Sequence, residues 1–452
     1  MFHLGLFIKY FISCFCMVSF FSMTIYADTV VSTEMALNEQ IVSGDLDSRL
    51  AGFVDFVKDL HKRELLDGEV LIVRDGHTLL NLRREDIFSP TSNDPQFMIG
   101  SVSKQFFAVA LLKALYDWSG FETEELKILD VKNKLHKPIS YFLPADSLIW
   151  DGNMPSWASE VSLHHLLTHT SGVPNYTASK DFSNLSSPDQ NQRWYEFYRS
   201  PSEIVALISK DPLLFVPGSE YSYSNTGYTI IAEVIESITS LPAAQYLQEA
   251  LFDRIGLSST ANPLKGQWNG LKQDLKFSGL VAPFKYDPRG DQLELYPLAH
   301  CEDISVAKGG GSIISTSADL LKWNHSLHRD QSILPKELYD LFVTPNMDDY
   351  GYGIGIEKND AGVLLGHSGG IGSYRTLLLY MPEKDLSIVI LSSICSDFDK
   401  IESEIKEIDE SLKDSIPDEK QRNEASFKVI LEKYPSTRGF EIIAENISRI
   451  FS

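Results

Sequence analysis

Strand-forming sequence lies near the two ends of this chain, with a long helical and loop-rich stretch between them. Near the N terminus, residues 69–73 and 77–82 have the pattern of two strands, and Asp75-Gly76 between them is a strong signal for a tight hairpin turn. Similar short runs return late, at residues 352–357, 363–365, 376–380 and 387–392. The sequence therefore predicts one sheet assembled from distant segments rather than a parallel βαβ repeat.

Helical patterns surround this strand material. Apolar residues recur at intervals of three and four from Leu50 onward, and residues 127–275 are mostly helical in pattern and punctuated by prolines. We therefore predict an α+β fold, in which an antiparallel sheet is flanked by helices and carries an inserted, mostly helical subdomain at roughly residues 113–300. The folded domain is placed at residues 50–412. Residues 413–452 form a predicted C-terminal helical extension, which either closes off the domain or serves as a small interaction module.

The first 27 residues have the composition of an export signal. An apolar run is followed by small and polar residues, and Ala27 suits the position before a cleavage site. Residues 28–49 are a predicted polar lead-in. These features predict a secreted or periplasmic protein without stable membrane association. The alternative is an N-terminal segment that stays uncleaved and anchors the chain, although its apolar run is marginal for spanning a bilayer.

Charge and cysteine content limit the classes of partner. The formal net charge is −22, which disfavours nucleic acid and anionic lipid surfaces and leaves a small-molecule or peptide substrate as the expected partner. The oligomeric state is left open. Export would permit a disulfide between Cys301 and Cys395, but two separate buried thiols are the favoured interpretation. No Cys/His cluster has zinc spacing, so no metal or cofactor is predicted.

The first candidate for chemistry is Ser-Val-Ser-Lys at residues 101–104. Ser101 follows a glycine at the start of a predicted apolar helix, and positions i and i+3 of a helix share a face, so the Lys104 amine can reach the Ser101 hydroxyl. A serine hydroxyl needs such a base to become a nucleophile. Ser-x-x-Lys also occurs at residues 305–308 and 403–406, so only the setting of Ser101 favours it.

Two further motifs contain chemically useful residues. Tyr223 and Asn225 form the only Tyr-x-Asn in the chain; a phenol can relay a proton, and an asparagine amide can hold both Lys104 and a substrate carbonyl. The third motif, Gly-His-Ser-Gly-Gly at residues 366–370, combines a histidine, which can add positive charge or a hydrogen bond, with glycines that expose peptide N–H groups. Taken singly, each is more typical of a polar turn or a strand end.

Together, the ordered motifs Ser-x-x-Lys, Tyr-x-Asn and His-x-Gly resemble those of the serine β-lactamase and penicillin-binding-protein family, in particular its class C β-lactamase and DD-peptidase branch. Four further stretches are similar to family sequences: residues 97–106, 166–174, 309–320 and 350–353. The resemblance covers roughly residues 50–412. It implies the fold predicted above and a hydrolase that works without a cofactor.

The resemblance also implies roles for individual residues. Ser101 matches the acylated nucleophile, Lys104 its activating partner, and Tyr223 the general acid/base. Substrate and oxyanion contacts fall on four further positions, namely Asn225, His367, Gly369 and Gly370, with the Ser101 and Gly370 amides forming the oxyanion hole.

The implied activity is hydrolysis of an amide, ester or lactam carbonyl through an acyl-enzyme, as in a DD-peptidase, D-aminopeptidase, esterase or β-lactamase. His367 stands where Lys-Thr-Gly members have lysine. A histidine is only partly charged near neutral pH and would hold a substrate carboxylate less firmly, which disfavours an efficient β-lactamase. His169, in the Thr-His-Thr-Ser-Gly stretch, is interpreted as a structural loop residue. The alternative function is a non-catalytic or slow-turnover protein that binds penicillin or wall fragments.

Overall fold

A computed structural model describes residues 46–62, 68–83, 95–179, 182, 198–263, 279–282, 284–286, 293–295, 304–359, 362–396, 402–413, 415–416 and 422. The predicted signal peptide, residues 28–45 of the lead-in, Cys301 and most of the C-terminal extension lie outside these ranges. The export signal, the state of the two cysteines and the role of the extension therefore stay predictions.

The strands are β1 (Gly68–Arg74), β2 (His77–Arg83), β3 (Phe97–Met98), β4 (Phe284–Tyr286), β5 (Leu293–Leu295), β6 (Ile314–Ser315), β7 (Gly355–Asn359), β8 (Gly362–Ile371), β9 (Tyr374–Met381), β10 (Leu386–Ser392) and β11 (Ile394–Ser396). The helices are α1 (Leu46–Lys62), α2 (Ser103–Asp117), α3 (Glu124–Leu135), α4 (Leu163–Leu167), α5 (Pro201–Ala206), α6 (Asn225–Thr239), α7 (Ala243–Leu247), α8 (Asp253–Ile255), α9 (Ser317–Asn324), α10 (Lys336–Phe342) and α11 (Glu402–Leu412). A single 3-10 turn, Gly100–Val102, precedes α2.

The main sheet joins the two ends of the folded chain. Its strand order is β2-β1-β10-β9-β8-β7, and every neighbouring pair is antiparallel. Strand β1 pairs with β10 along its whole length, from Gly68 opposite Ser392 to Arg74 opposite Leu386. The predicted α+β class, with an antiparallel sheet built from distant segments and flanked by helices, is confirmed.

Alternate residues of the central strands supply two cores. In β1, Val70 and Ile72 pack with α1, whereas Leu71 and Val73 face the larger cluster that contains α2. The same alternation runs through β10 and β9, as expected for a sheet that is buried on both faces. The sheet thus forms the layer between α1 and the helical part of the molecule.

Helix α2 differs from its predicted form. The sequence indicated one apolar face, but every residue from Ser103 to Leu112 is buried. The cause is the place of these residues between the sheet and the other helices, which cover them on every side. A polar side chain on α2, such as Lys104, is therefore held away from bulk water.

Late strand boundaries also differ from the predicted ones. Strand β8 runs through Ile371 and so includes the glycine-rich motif, which the sequence indicated as a strand end. Pairing of β7 with β8 stops where Gly355 faces Gly366, so the next residues of β8 lie beyond the end of β7. Strands β4 and β5 fall inside the range predicted as mostly helical, where they form a small sheet with β11.

Within the part of the chain that the structure describes, no helix is both long enough and apolar enough to cross a membrane. In the same residues, no group of three or more His, Cys, Asp or Glu side chains is arranged to hold a metal ion.

A buried histidine makes stability pH-dependent. His328 stacks on Tyr380 of β9 and bonds the Tyr339 hydroxyl, and burial lowers its pKa from 6.5 to about 3. Between these two pKa values the unfolded chain binds a proton at His328 and the folded chain does not. The free energy of unfolding therefore falls as the pH drops below about 6.5. We expect His328→Phe to lessen that loss by up to about 1.4 kcal/mol per pH unit. Denaturant unfolding at pH 4, 5.5 and 7 measures the free energy of unfolding, and His77→Gln, which replaces an exposed histidine, is the control. The expectation is contradicted if stability depends on pH as strongly in His328→Phe as in the wild-type protein.

Candidate active site

Ser101 lies where a tight turn enters α2. Gly100 has a φ of +51°, a conformation that glycine adopts without strain, and the 3-10 turn then leads directly into the helix. This geometry places Lys104 in the first turn of α2, with its Nζ 3.0 Å from Ser101 Oγ. The helix start therefore brings the predicted nucleophile and its predicted base into hydrogen-bond contact.

Lys104 is completely buried, and polar groups from distant segments surround its amine. Nζ lies 2.6 Å from the Gly310 carbonyl oxygen and 2.8 Å from Asn225 Oδ1. Both of these atoms can only accept hydrogen bonds. Donation to these two acceptors leaves the third position of Nζ facing Ser101, as an N–H while the amine is charged and as a lone pair once that proton has left. The contacts thus orient Lys104 as a base for the serine proton.

Tyr223 completes the contacts around the nucleophile. Its hydroxyl lies 2.8 Å from Ser101 Oγ, and its ring centroid is 4.9 Å from Lys104 Nζ. Tyr223 comes two residues before the start of α6, whose first residue is Asn225. One short segment therefore supplies both the phenol beside Ser101 and the amide oxygen on Lys104.

The glycines of β8 allow two backbones to approach each other closely. A Cβ atom on Gly369 would lie 2.0 Å from the Ile99 carbonyl oxygen and 3.1 Å from Ser101 N, and a Cβ atom on Gly100 would lie 2.6 Å from Gly370 N. The backbones of Gly369 and Gly370 therefore lie directly against that of residues 99–101. This arrangement is the one required if the amides of Ser101 and Gly370 are to bind a single oxyanion.

His367 is held as a neutral ring. Its Nδ1 contacts the Ser368 carbonyl oxygen, which only accepts, so Nδ1 carries the proton; Nε2 then accepts from the Tyr350 hydroxyl at 2.9 Å. Burial, reinforced by the charge of Lys104, lowers the pKa of His367 to about 3. The partial positive charge expected from the sequence is therefore absent near neutral pH, because the ring is fully buried and sits beside another cationic group.

Several supporting residues were not among the predicted site residues. The Gly310 carbonyl holds Lys104, and its signal in the sequence was the family-like stretch 309–320, which begins with three glycines. Tyr350 fixes His367 and belongs to the Tyr-Gly-Tyr-Gly stretch. His169, interpreted as structural, packs against Tyr223 with 4.2 Å between ring centroids.

The sequence matches a known protein family. The family model described as Beta-lactamase matches residues 52–403, which is more than half of the chain. The chain belongs to the Beta-lactamase family. The matched span includes Ser101, Tyr223 and His367, so all three motifs lie within the Beta-lactamase region.

A curated relative is similar over much of the chain. It is penicillin-binding protein 4* of Bacillus subtilis (strain 168), 23% identical over 318 residues, which is 67% of this chain and 62% of that protein. The chain thus matches less than two thirds of the relative's length.

Solved structures support the Beta-lactamase fold. A D-stereospecific amidohydrolase from Streptomyces sp. superposes with a TM-score of 0.59 at 19% identity, over 75% of this chain and 94% of that chain. A D-amino acid amidase from Ochrobactrum anthropi SV3 superposes with a TM-score of 0.58 at 17% identity, over 92% of this chain and 97% of that one. At these identities the likeness concerns the fold alone.

Proposed function

We propose that this protein is a serine hydrolase that forms an acyl-enzyme on Ser101 and acts on amides or esters of D-configured amino acids. We further propose that its preferred substrates carry no carboxylate on the leaving group. One observation carries the proposal: Ser101 Oγ is within hydrogen-bond distance of both Lys104 Nζ and the Tyr223 hydroxyl. A serine with a base on one side and a proton relay on the other has the parts that acyl transfer requires.

The chemical steps follow from these contacts. Lys104 accepts the Ser101 proton as Oγ attacks the substrate carbonyl carbon, and the carbonyl oxygen becomes an oxyanion. The amides of Ser101 and Gly370 donate to that oxyanion. Tyr223 donates its proton to the departing nitrogen or oxygen and regains one from Lys104. Water then attacks the acyl-enzyme, giving one proton to Tyr223 as Tyr223 passes its own proton to Lys104. The tetrahedral intermediate expels Ser101 Oγ and releases the acid, and the proton held by Lys104 returns to Ser101.

The substrate class is argued from the neutral His367 and from the structural neighbours. A β-lactam or a peptide ending in a free D-residue brings a carboxylate to the third motif. His367 offers it no positive charge near neutral pH, because burial and the nearby Lys104 lower its pKa to about 3. The names of the two neighbours, a D-stereospecific amidohydrolase and a D-amino acid amidase, supply the D-configuration and the amide as the substrates to test first.

The test uses pairs of substrates that differ in one property. N-acetyl-D-alanyl-D-alanine and its C-terminal amide share a scissile bond and differ only in the carboxylate; D- and L-phenylalanine amide differ only in configuration. We expect higher kcat/KM for the capped peptide and for the D-amide. The ratio of kcat/KM for the C-terminal amide to kcat/KM for the free acid should be the same at pH 5.5 and pH 8, because His367 does not titrate in that range. Intact-mass analysis should detect the acyl adduct on Ser101.

Each part of the proposal can fail separately. No adduct and no turnover with any of the four substrates would contradict the hydrolase assignment. A preference for the free acid that grows at pH 5.5 would contradict the argument from His367. Equal rates on the two enantiomers would remove the D-selectivity. An adduct that forms and persists without product would favour the slow-turnover binding protein.

A further inference from the structure

We propose that His169 is a positioning residue that holds the Tyr223 side chain against Ser101 chiefly through the acceptor at its Nδ1 atom, with its ring packed behind the phenol. This inference rests on the proposed function, because it assigns His169 a task in the proton relay by Tyr223. It changes the interpretation of His169 from a residue of the loop to a residue that serves the site.

His169 binds the chain on both sides of Tyr223. The Ser222 amide donates to the His169 carbonyl oxygen at 2.9 Å, and the Ser224 amide donates to His169 Nδ1 at 3.1 Å. Tyr223 is the residue between these two amides. Its backbone is therefore held at both neighbouring positions by one residue, through one main-chain and one side-chain acceptor.

The ring of His169 supports the Tyr223 side chain itself. The two rings are 4.2 Å apart between centroids with planes at 39°, and Tyr350 packs 4.8 Å from His169. His169 is only 1% exposed. The phenol of Tyr223 is thus backed by a buried ring that limits its movement away from Ser101.

The backbone at this position carries strain. His169 has a φ of +57°, in the left-handed region that residues other than glycine rarely adopt. The main chain on either side is tied down, since Thr170 N bonds the His165 carbonyl and the Thr170 carbonyl accepts from Gly218 N. The strained conformation is the one that turns the ring of residue 169 toward Tyr223.

A histidine at position 169 destabilises the folded protein more than an apolar ring would, which argues against a merely structural role. The Ser224 amide donates to Nδ1, so the neutral ring carries its proton on Nε2, which is buried and has no hydrogen-bond partner among the described residues. A buried donor without a partner destabilises the folded protein, a penalty that phenylalanine would avoid. What histidine adds over phenylalanine is the Nδ1 acceptor. What it adds over asparagine, which tolerates positive φ, is the ring.

The ring stays neutral in this setting. Burial lowers the pKa of His169 well below its usual value, and the nearby Lys104 and His367 lower it further. Nδ1 therefore stays available as an acceptor for Ser224 throughout the ordinary pH range.

Two variants separate the acceptor from the ring. His169→Asn keeps an acceptor oxygen at the place of Nδ1 and tolerates the positive φ, whereas His169→Phe keeps a ring and loses the acceptor. Crystal structures should show the Tyr223 hydroxyl beyond hydrogen-bond reach of Ser101 Oγ in His169→Phe and near 2.8 Å in His169→Asn. This readout does not depend on turnover, so it decides the proposal even if the wild-type protein hydrolyses none of the substrates above.

Enzyme kinetics provide a second measurement, which a purely structural role of His169 would not affect selectively. An amide leaving group needs the proton from Tyr223, whereas p-nitrophenolate leaves without one. We expect His169→Phe to lower kcat/KM about 10- to 100-fold on D-phenylalanine amide but less than about 3-fold on the p-nitrophenyl ester of a D-amino acid, as Tyr223→Phe also should. His169→Asn should recover most of the amide activity. Equal losses on amide and ester, or an unmoved Tyr223 in His169→Phe, would overturn the proposal.

Discussion

Replacing Ser101 with alanine is expected to remove hydrolysis of every substrate that the wild-type protein accepts. The fall in kcat should be at least about 10³-fold, since loss of a nucleophile leaves only the contribution of binding and the oxyanion donors. The protein should stay folded, because the change removes one hydroxyl from a turn whose backbone is set by Gly100 and α2. Turnover assays, thermal unfolding and labelling with a fluorophosphonate measure the three quantities.

The chain supplies a matched control for that experiment. Ser305 and Lys308 form a second Ser-x-x-Lys pair, but Lys308 bonds Glu233 and Glu236 of α6, and Ser305 Oγ accepts from the Arg199 amide. Ser305→Ala should therefore keep both turnover and the fluorophosphonate label. Residual labelling of the Ser101→Ala protein, or loss of labelling in Ser305→Ala, would show that Ser101 is not the nucleophile.

Gly100→Ala is expected to cause the second largest loss. The added Cβ atom would lie 2.6 Å from Gly370 N, so β8 and the nucleophile turn must move apart, and the two oxyanion donors separate with them. Removal of one oxyanion donor typically costs about 10²–10³-fold in kcat. We expect a loss of that size in kcat, with a smaller change in KM.

Gly76→Ala is the control for backbone strain. Gly76 also has a positive φ, +74°, but nothing lies within 4 Å of its added Cβ atom. Both substitutions place alanine in the left-handed region, at about 1–2 kcal/mol each. Gly76→Ala should lower stability and leave kcat unchanged. If the two variants lose kcat equally, strain and not separation of the oxyanion donors is the cause.

The sequence predicts most of what is local. The Asp75-Gly76 turn and the strands that it joins form as expected, because turn chemistry and alternation are encoded in neighbouring residues. The contact between Ser101 and Lys104 follows from helical spacing, and motif order placed Tyr223 and Asn225 beside them.

Features that depend on contacts between distant segments could not be read from the sequence. The Gly310 carbonyl on Lys104 and the Tyr350 hydroxyl on His367 each require a particular packing of separate elements. The neutral state of His367 depends on its complete burial, which a short glycine-rich motif does not reveal. The all-round burial of α2 has the same origin, because the layers that cover it are the sheet on one side and helices from the middle of the chain on the other.

The pairing of β1 with β10 has a consequence for how the protein is made. During translation, Ser101, Lys104 and Tyr223 are synthesised well before the residues of β8 to β10. Strand β1 cannot pair with β10 until residues 386–392 have been synthesised. Contacts between such remote segments form slowly, because the chain must close a very large loop first. An unfinished chain thus holds the nucleophile and its base without the Gly370 amide, and the complete site arises only after the residues of β8 to β10 have been added.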